Sequence, residues 1–60
     1  YKNTKARYIV QYWENNNYVK IACKTKQEAN ELLALAQLCD EVDSPFIEDN
    51  ASGIRYRKQI

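Results

Sequence analysis

The sequence predicts an α+β fold of the order ββαβ, with one helix packed on one face of a three-stranded antiparallel sheet. Two alternating apolar segments flank three asparagines, a segment rich in Ala and Leu follows, and a third alternating segment comes last. A chain of 60 residues allows one domain, which we expect over residues 1–60 with 1–5 as a loose lead-in.

The first two strands are predicted over residues 6–14 and 18–24. Asparagine tolerates positive φ, so Asn15 and Asn16 predict a two-residue hairpin loop. A slip of one residue would mix the two faces, which favours a single register. Three apolar pairs then share one side of the sheet: Tyr12 with Val19, Val10 with Ile21, and Tyr8 with Cys23.

The helix is predicted from Lys26 to about Asp43. Thr25 is a good N-cap, and Glu28 three residues later completes a capping-box pattern. Pro45 requires the helix to end before it. Apolar residues at helical spacing form one stripe, which Leu33 and Leu38 widen: Ala29, Leu32, Leu35, Ala36, Cys39 and Val42.

Residues 44–53 are predicted to be a loop, with Phe46 and Ile47 folded back as a lid on the edge of the core. Residues 54–60 alternate again and predict the third strand. A right-handed crossover through the helix places this strand beside the first, so the expected sheet order is 2-1-3.

The predicted core combines the inward faces of the strands and the helix stripe. It consists of Tyr8, Val10, Tyr12, Val19, Ile21, Cys23, Ala29, Leu32, Leu35, Ala36, Cys39, Ile54 and Tyr56. The apolar arc of the helix is wider than one face of a small sheet can cover, so we expect a homodimer or docking on a protein partner.

The net charge of +1 conceals a strong segregation of charge. Residues 1–27 carry six basic and one acidic side chain, residues 28–49 carry seven acids without Lys or Arg, and residues 50–60 carry three basic side chains. The predicted sheet is therefore basic, and the helix with its following segment is acidic.

Basic and aromatic side chains collect on the sheet face that the predicted helix leaves open. The candidate binding residues are Arg7, Trp13, Tyr18, Lys20, Lys24, Arg55 and Arg57. Cations hold phosphates and aromatic rings stack on bases, so this face suits nucleic acid. A protein-interaction or dimer face is a second interpretation of the same pattern. A merely solvated surface is the third, because exposed sheets carry Lys and Arg to suppress edge pairing.

Residues 24–29, Lys-Thr-Lys-Gln-Glu-Ala, lead from the predicted hairpin into the helix. Over residues 6–36 the chain resembles the arm-type DNA-binding domains of tyrosine integrases, where a similar step joins a twisted sheet to a helix. The resemblance implies DNA binding by the open sheet face. The order of elements departs from that family, because one strand follows the helix here.

The sequence does not predict an enzyme. It has no His, no phosphate-binding glycine loop and no nucleophile beside an evident base. We expect no cofactor, no small-molecule substrate and no metal site, since the acids lack calcium-loop spacing and two cysteines do not make a zinc site. Cys23 and Cys39 are interpreted as reduced, buried thiols, with a disulfide as the alternative.

We therefore expect a non-enzymatic binding module. Its principal interpretation is protein–protein interaction or self-association through the sheet face or the acidic helix. Its alternative interpretation is nucleic-acid binding through the basic, aromatic face. The small size and split charge are typical of accessory proteins of phages and mobile elements. No apolar run is long enough to cross a membrane, and we expect a cytoplasmic protein.

Overall fold

The computed structural model describes residues 6–60, which form one helix and a four-stranded antiparallel sheet. The elements are β1 (Tyr8–Glu14), β2 (Asn17–Cys23), α1 (Lys26–Leu38), β3 (Val42–Asp49) and β4 (Arg55–Tyr56). The strand order is β2-β1-β3-β4. The α+β class with one helix and an antiparallel sheet is confirmed, whereas the three-stranded sheet is wrong. The predicted lead-in, residues 1–5, lies outside the described residues.

The β1–β2 hairpin has the predicted register. Asn15 and Asn16 take φ values of 48° and 68°, the left-handed conformation that a two-residue hairpin turn requires. Each of the three predicted apolar pairs forms: Tyr12 with Val19, Val10 with Ile21, and Tyr8 with Cys23.

Helix α1 begins where the sequence predicts and ends earlier. The Thr25 hydroxyl accepts a hydrogen bond of 3.2 Å from the backbone N–H of Glu28, as an N-cap does. The helix stops at Leu38 instead of continuing to about Asp43. Its last turn has no basic side chain, and the acids that follow would oppose the helix dipole. Cys39 already has an extended backbone.

Strand β3 runs through the segment 44–53 that the sequence predicts as a loop. It contains one residue more than the matching part of β1, so the pairing shifts at Ser44 and Pro45 in a β-bulge. Ser44 takes a φ of 51°, and a bulge accommodates a proline that has no N–H to donate. Phe46 and Ile47 are consecutive β3 residues and therefore point to opposite faces, not into a lid.

The strand beside β1 is β3 rather than the segment 54–60. Only Arg55 and Tyr56 of that segment pair with the sheet, and they pair with β3 at its edge. The connection through α1 leads to residues 42–49, which take the place beside β1 that the sequence assigns to residues 54–60. The first strand is central between the second and the third, as expected, but the third strand is a different segment.

The segment after β4 is held against α1 by side-chain hydrogen bonds to its backbone. The Asn30 amide donates to the carbonyl of Ile60 at 2.6 Å and accepts from its N–H at 2.8 Å. The Gln37 amide donates to the carbonyl of Arg57 at 3.2 Å. These bonds satisfy backbone groups that a longer β4 would have paired in the sheet.

The core lies between α1 and the sheet face that the helix covers. Its buried members are Tyr8, Val10, Cys23, Ala29, Leu33 and Ile47, and the partly buried residues packed against them are Tyr12, Ile21, Leu32, Tyr56 and Ile60. Most of the predicted core is therefore correct. The additions, Leu33 and Ile47, come from the flank of the predicted stripe and from the predicted loop.

Three predicted core residues are exposed: Leu35, Cys39 and Ile54. The helix packs chiefly on β1 and β3, which turns Leu33 inward and leaves Leu35 and Leu38 outward, 64% and 81% exposed. Both cysteines are free thiols, but only Cys23 is buried, and this burial raises the pKa of its thiol. Within residues 6–60 the structure has no helix with the length and apolar character needed to cross a bilayer.

Candidate nucleic-acid interface

The sheet face turned away from α1 is called the open face. Its residues alternate along the strands with those of the core, because successive side chains of a strand point to opposite sides. They are Ile9, Gln11, Trp13, Tyr18, Lys20, Ala22, Asp43, Phe46, Glu48 and Arg55. Cross-strand pairing sets these side chains side by side in three rows that start at β2. The row of Ala22, Ile9 and Glu48 reaches β4 at Arg55, and the other two rows end on β3.

Two aromatic rings lie together at the hairpin end of the open face. Trp13 and Tyr18 are directly opposite in the β1–β2 register, and their ring centroids are 4.9 Å apart with planes tilted by 54°. They are 49% and 41% exposed. The Lys20 ammonium lies 5.5 Å from the Tyr18 ring centroid, a cation–π distance. The tip of the face therefore presents ring surface and a cation to solvent.

A third aromatic ring, Phe46, lies on β3 between two arginines. The guanidinium carbons of Arg55 and Arg57 are 5.8 Å and 5.9 Å from the Phe46 ring centroid. Both arginines are exposed, whereas the ring is partly buried. Among residues 6–60, no carboxylate forms an ion pair with either arginine. Two positive charges therefore flank the β4 side of the face.

A hydrogen-bonded chain crosses the middle of the open face. The Tyr18 hydroxyl donates to Gln11 Oε1, and Gln11 Nε2 donates to Glu48 Oε1 at 2.6 Å. Gln11 is only 4% exposed, so both ends of its amide are satisfied away from water. This chain links β2, β1 and β3 and holds the side chain of Tyr18, whose ring contacts Trp13.

Arg7, one of the predicted site residues, forms an ion pair with Asp49. Its guanidinium donates to the Asp49 carboxylate through Nε at 3.3 Å and Nη2 at 3.4 Å. This hydrogen-bonded pair holds the pKa of Asp49 below its ordinary value of 3.8 and raises that of Arg7. Asp49 also accepts from the backbone N–H of Ala51 at 3.0 Å. The Arg7 charge is thus directed toward the end of β3.

The structure brings together most of the predicted binding residues. Lys20 lies on the β2 side of the open face, and Lys24, exposed, follows the last residue of β2. Arg55 and Arg57 lie on the β4 side, although Arg55 is 35 positions away from Lys20 in the sequence. The rings of Trp13 and Tyr18 lie together at the hairpin end, in a row that ends on β3 at Asp43. The Phe46 ring shares the row of Lys20 and lies next to Arg55 and Arg57.

Sequence reasoning missed the three β3 members of the face, Asp43, Phe46 and Glu48, and the burial of Gln11. Residues 46–49 alternate between the two faces, which is a strand signal, but Pro45 and the surrounding acids favoured a loop. Gln11 lies at an open-face position, and only the β3 pairing shows that its amide meets Glu48.

An acidic depression borders the open face at the hairpin tip. It has a volume of about 660 Å³ and is lined by Trp13, Asn15, Asn16, Asp40, Glu41, Val42 and Asp43. The Asn15 amide donates to Glu41 at 3.3 Å. The acids at the end of the helix therefore face the Asn turn, and not the cations of β4. No group of His, Cys, Asp and Glu suited to a metal ion occurs in the described part of the chain.

Comparison of the chain with protein-family models, with curated proteins and with solved structures finds no match.

Proposed function

We propose that the chain is a non-enzymatic module that binds single-stranded nucleic acid across the open face. The observation that carries the proposal is the presence of cations at both edges of a face with three aromatic rings, of which Phe46 lies between the Lys20 edge and the arginines. Lys20 and Lys24 lie on the β2 side, and Arg55 and Arg57 lie on the β4 side. A single strand crossing the sheet can place phosphates near these cations and bases on the rings.

The dimensions of the face favour a single strand over a duplex. Four strands spaced about 4.8 Å apart put the outer strands about 14 Å apart. The major groove of B-DNA is only about 12 Å wide, so the whole face does not enter it. Exposed rings also need unpaired bases to stack on, and a duplex keeps its bases paired. Both arguments point to single-stranded DNA or RNA.

Fluorescence anisotropy with a labelled mixed-sequence oligonucleotide of about 12 nucleotides tests the proposal, with its duplex as comparison. We expect tighter binding of the single strand and a loss of affinity between about 50 and about 200 mM salt. Arg57→Ala should lower the slope of log affinity against log salt by about 0.7, the value of one phosphate contact on a single strand. Lys26→Ala, an exposed lysine of α1, is the matched control and should leave the slope unchanged.

The aromatic part of the proposal has its own variants. Trp13→Ala should weaken binding by roughly 5- to 150-fold, the effect of removing one stacking ring, with little change in the salt slope. Trp13→Phe retains a ring and should recover most of the affinity. Absence of binding at about 50 mM salt, where phosphate contacts are strongest, would overturn the proposal.

Self-association is the second candidate function, and the residues that support it lie on α1 and not on the open face. Leu35 and Leu38 are exposed on α1, beside a groove of 170 Å³ lined by apolar side chains that include Ile21, Leu32 and Val42. A second copy packed on this leucine surface would leave the open face available on the opposite side of each sheet. Sedimentation equilibrium should show a dimer at high concentration that Leu35→Ser abolishes, and a monomer in the unaltered protein would contradict this candidate.

A further inference from the structure

Glu48 places a carboxylate in the middle of a face that is otherwise flanked by cations. In the sheet register it lies between Ile9 of β1 and Arg55 of β4. The carboxylate is partly exposed and has one oxygen, Oε1, held by the Gln11 amide at 2.6 Å. Gln11 in turn is held by the Tyr18 hydroxyl. The position of the carboxylate is therefore fixed before any ligand arrives.

A carboxylate at this position does not serve phosphate binding, because like charges repel. It accepts hydrogen bonds and donates none, so its natural ligands are N–H groups. Phe46 and Glu48 are two residues apart on one strand, which puts their Cα atoms about 7 Å apart on the same face. The exposed guanidinium groups of Arg55 and Arg57 lie over the Phe46 ring, so a base stacked on a guanidinium plane can turn its edge toward Glu48.

The bases differ sharply in what they offer a carboxylate. Guanine presents two adjacent donors on its Watson–Crick edge, the ring N1–H and the exocyclic amino group, which match two carboxylate oxygens. Adenine and cytosine present one amino donor beside a ring nitrogen acceptor. Thymine and uracil present one N–H between two carbonyl oxygens, and these carbonyls repel the carboxylate.

We infer that Glu48 makes the open face select guanine over thymine or uracil at one position of a bound single strand. The inference rests on the proposed function and adds a specificity-determining residue to it. The cations and rings bind any sequence, and the Glu48 carboxylate reads one base edge. The fixed Gln11–Glu48 hydrogen bond supplies the rigidity that such a contact requires.

The test uses anisotropy with three oligonucleotides of about 12 nucleotides: all thymine, thymine with one central guanine, and thymine with one central hypoxanthine. Guanine should improve affinity over all-thymine by roughly tenfold, the effect of one bidentate base contact. Hypoxanthine lacks the exocyclic amino group and should give a smaller gain. Glu48→Gln should remove the difference among the three, because its amide replaces one acceptor with a donor.

Matched controls separate the inference from the proposal beneath it. Glu31→Gln removes an equal charge from exposed α1 and should preserve the guanine preference. Circular dichroism verifies that Glu48→Gln folds, since its amide oxygen can still accept from Gln11. Failure of every oligonucleotide to bind overturns the proposed function. Equal binding of all three by the unaltered protein, with Glu48→Gln identical to it, overturns the inference alone.

Discussion

The two faces of the sheet bury comparable side chains by different means. On the helix side, Val10 and Ile47 are fully buried under the apolar face of α1. On the open face, Ile9 and Gln11 are also buried, yet they lie on the side turned away from α1. There, hydrogen bonds from Tyr18 and to Glu48 satisfy the buried Gln11 amide, in place of apolar packing against a helix. The open face thus combines local order with an exposed aromatic and basic surface.

The difference predicts how each face fails when it is altered. The helix side should be damaged by lost volume, because close-packed apolar groups leave a cavity when they are truncated. The open face should be damaged by lost hydrogen-bond partners, because a buried polar group without a partner costs free energy. Substitutions on the two faces therefore separate these mechanisms within one small sheet.

The largest effect is expected from Leu33→Ala on the helix side. Leu33 is fully buried against the core, and such truncations lower the free energy of unfolding by about 2–5 kcal/mol. A domain of this size has about 3–5 kcal/mol in total from its core, so the variant should be largely unfolded at room temperature. Urea denaturation followed by circular dichroism measures the loss. Leu35→Ala, on the exposed side of the same helix, should change stability by less than about 0.5 kcal/mol, and equal effects of the two would contradict the described helix orientation.

An intermediate effect is expected from Gln11→Leu on the open face. The substitution keeps the apolar bulk but removes the partner of both the Tyr18 hydroxyl and the Glu48 carboxylate. Loss of the two hydrogen bonds, at about 0.5–1.5 kcal/mol each, should lower the free energy of unfolding by about 1–3 kcal/mol. Gln27→Leu, at an exposed position of α1, is the control and should be close to neutral. A neutral Gln11→Leu would show that the hydrogen-bonded chain does not stabilise the open face.

The smallest effect is expected at the Arg7–Asp49 pair, which lies at the end of the sheet and has an Arg7 side chain 57% exposed. The Arg7 hydrogen bond lowers the pKa of Asp49, so its stabilising contribution is present above the unfolded pKa of about 3.9 and is lost as pH falls through the lower folded value. Thermal melts of the unaltered protein and Asp49→Asn should therefore converge below about pH 4. Arg7→Gln should remove most of the same pH dependence, and parallel melting curves at all pH values would contradict the role of the pair.

The hairpin and the start of the helix could be predicted from sequence because local rules determine them. The Asn15–Asn16 turn fixes the register of β1 and β2, and Thr25 caps the helix through a contact three residues away. These features depend on neighbours in the chain, so a single sequence contains the information. The open-face positions of Trp13 and Tyr18 follow from the same register.

The second half of the chain could not be predicted in the same way because its structure depends on distant pairing. Pro45 and the acids around it favour a loop by local rules, and only pairing with β1 makes residues 42–49 a strand. The bulge at Ser44 also shifts the alternation, so that Val42 and Ile47 contact the same side of the sheet despite their odd spacing. The face that α1 buries likewise depends on β3, which explains why Leu33 replaces Leu35 in the core.

The central position of β1 has a consequence for the order of folding. Its partner on one side, β2, follows after a two-residue turn, whereas its partner on the other side, β3, follows only after the whole helix. Hairpins close in about 1–10 μs, and contacts between distant segments form more slowly because a longer loop must close first. The middle of the open face forms only when β3 has docked, since Phe46 and Glu48 arrive with it. The long-range pairing of β1 with β3 therefore also creates the centre of the surface at which a ligand would bind.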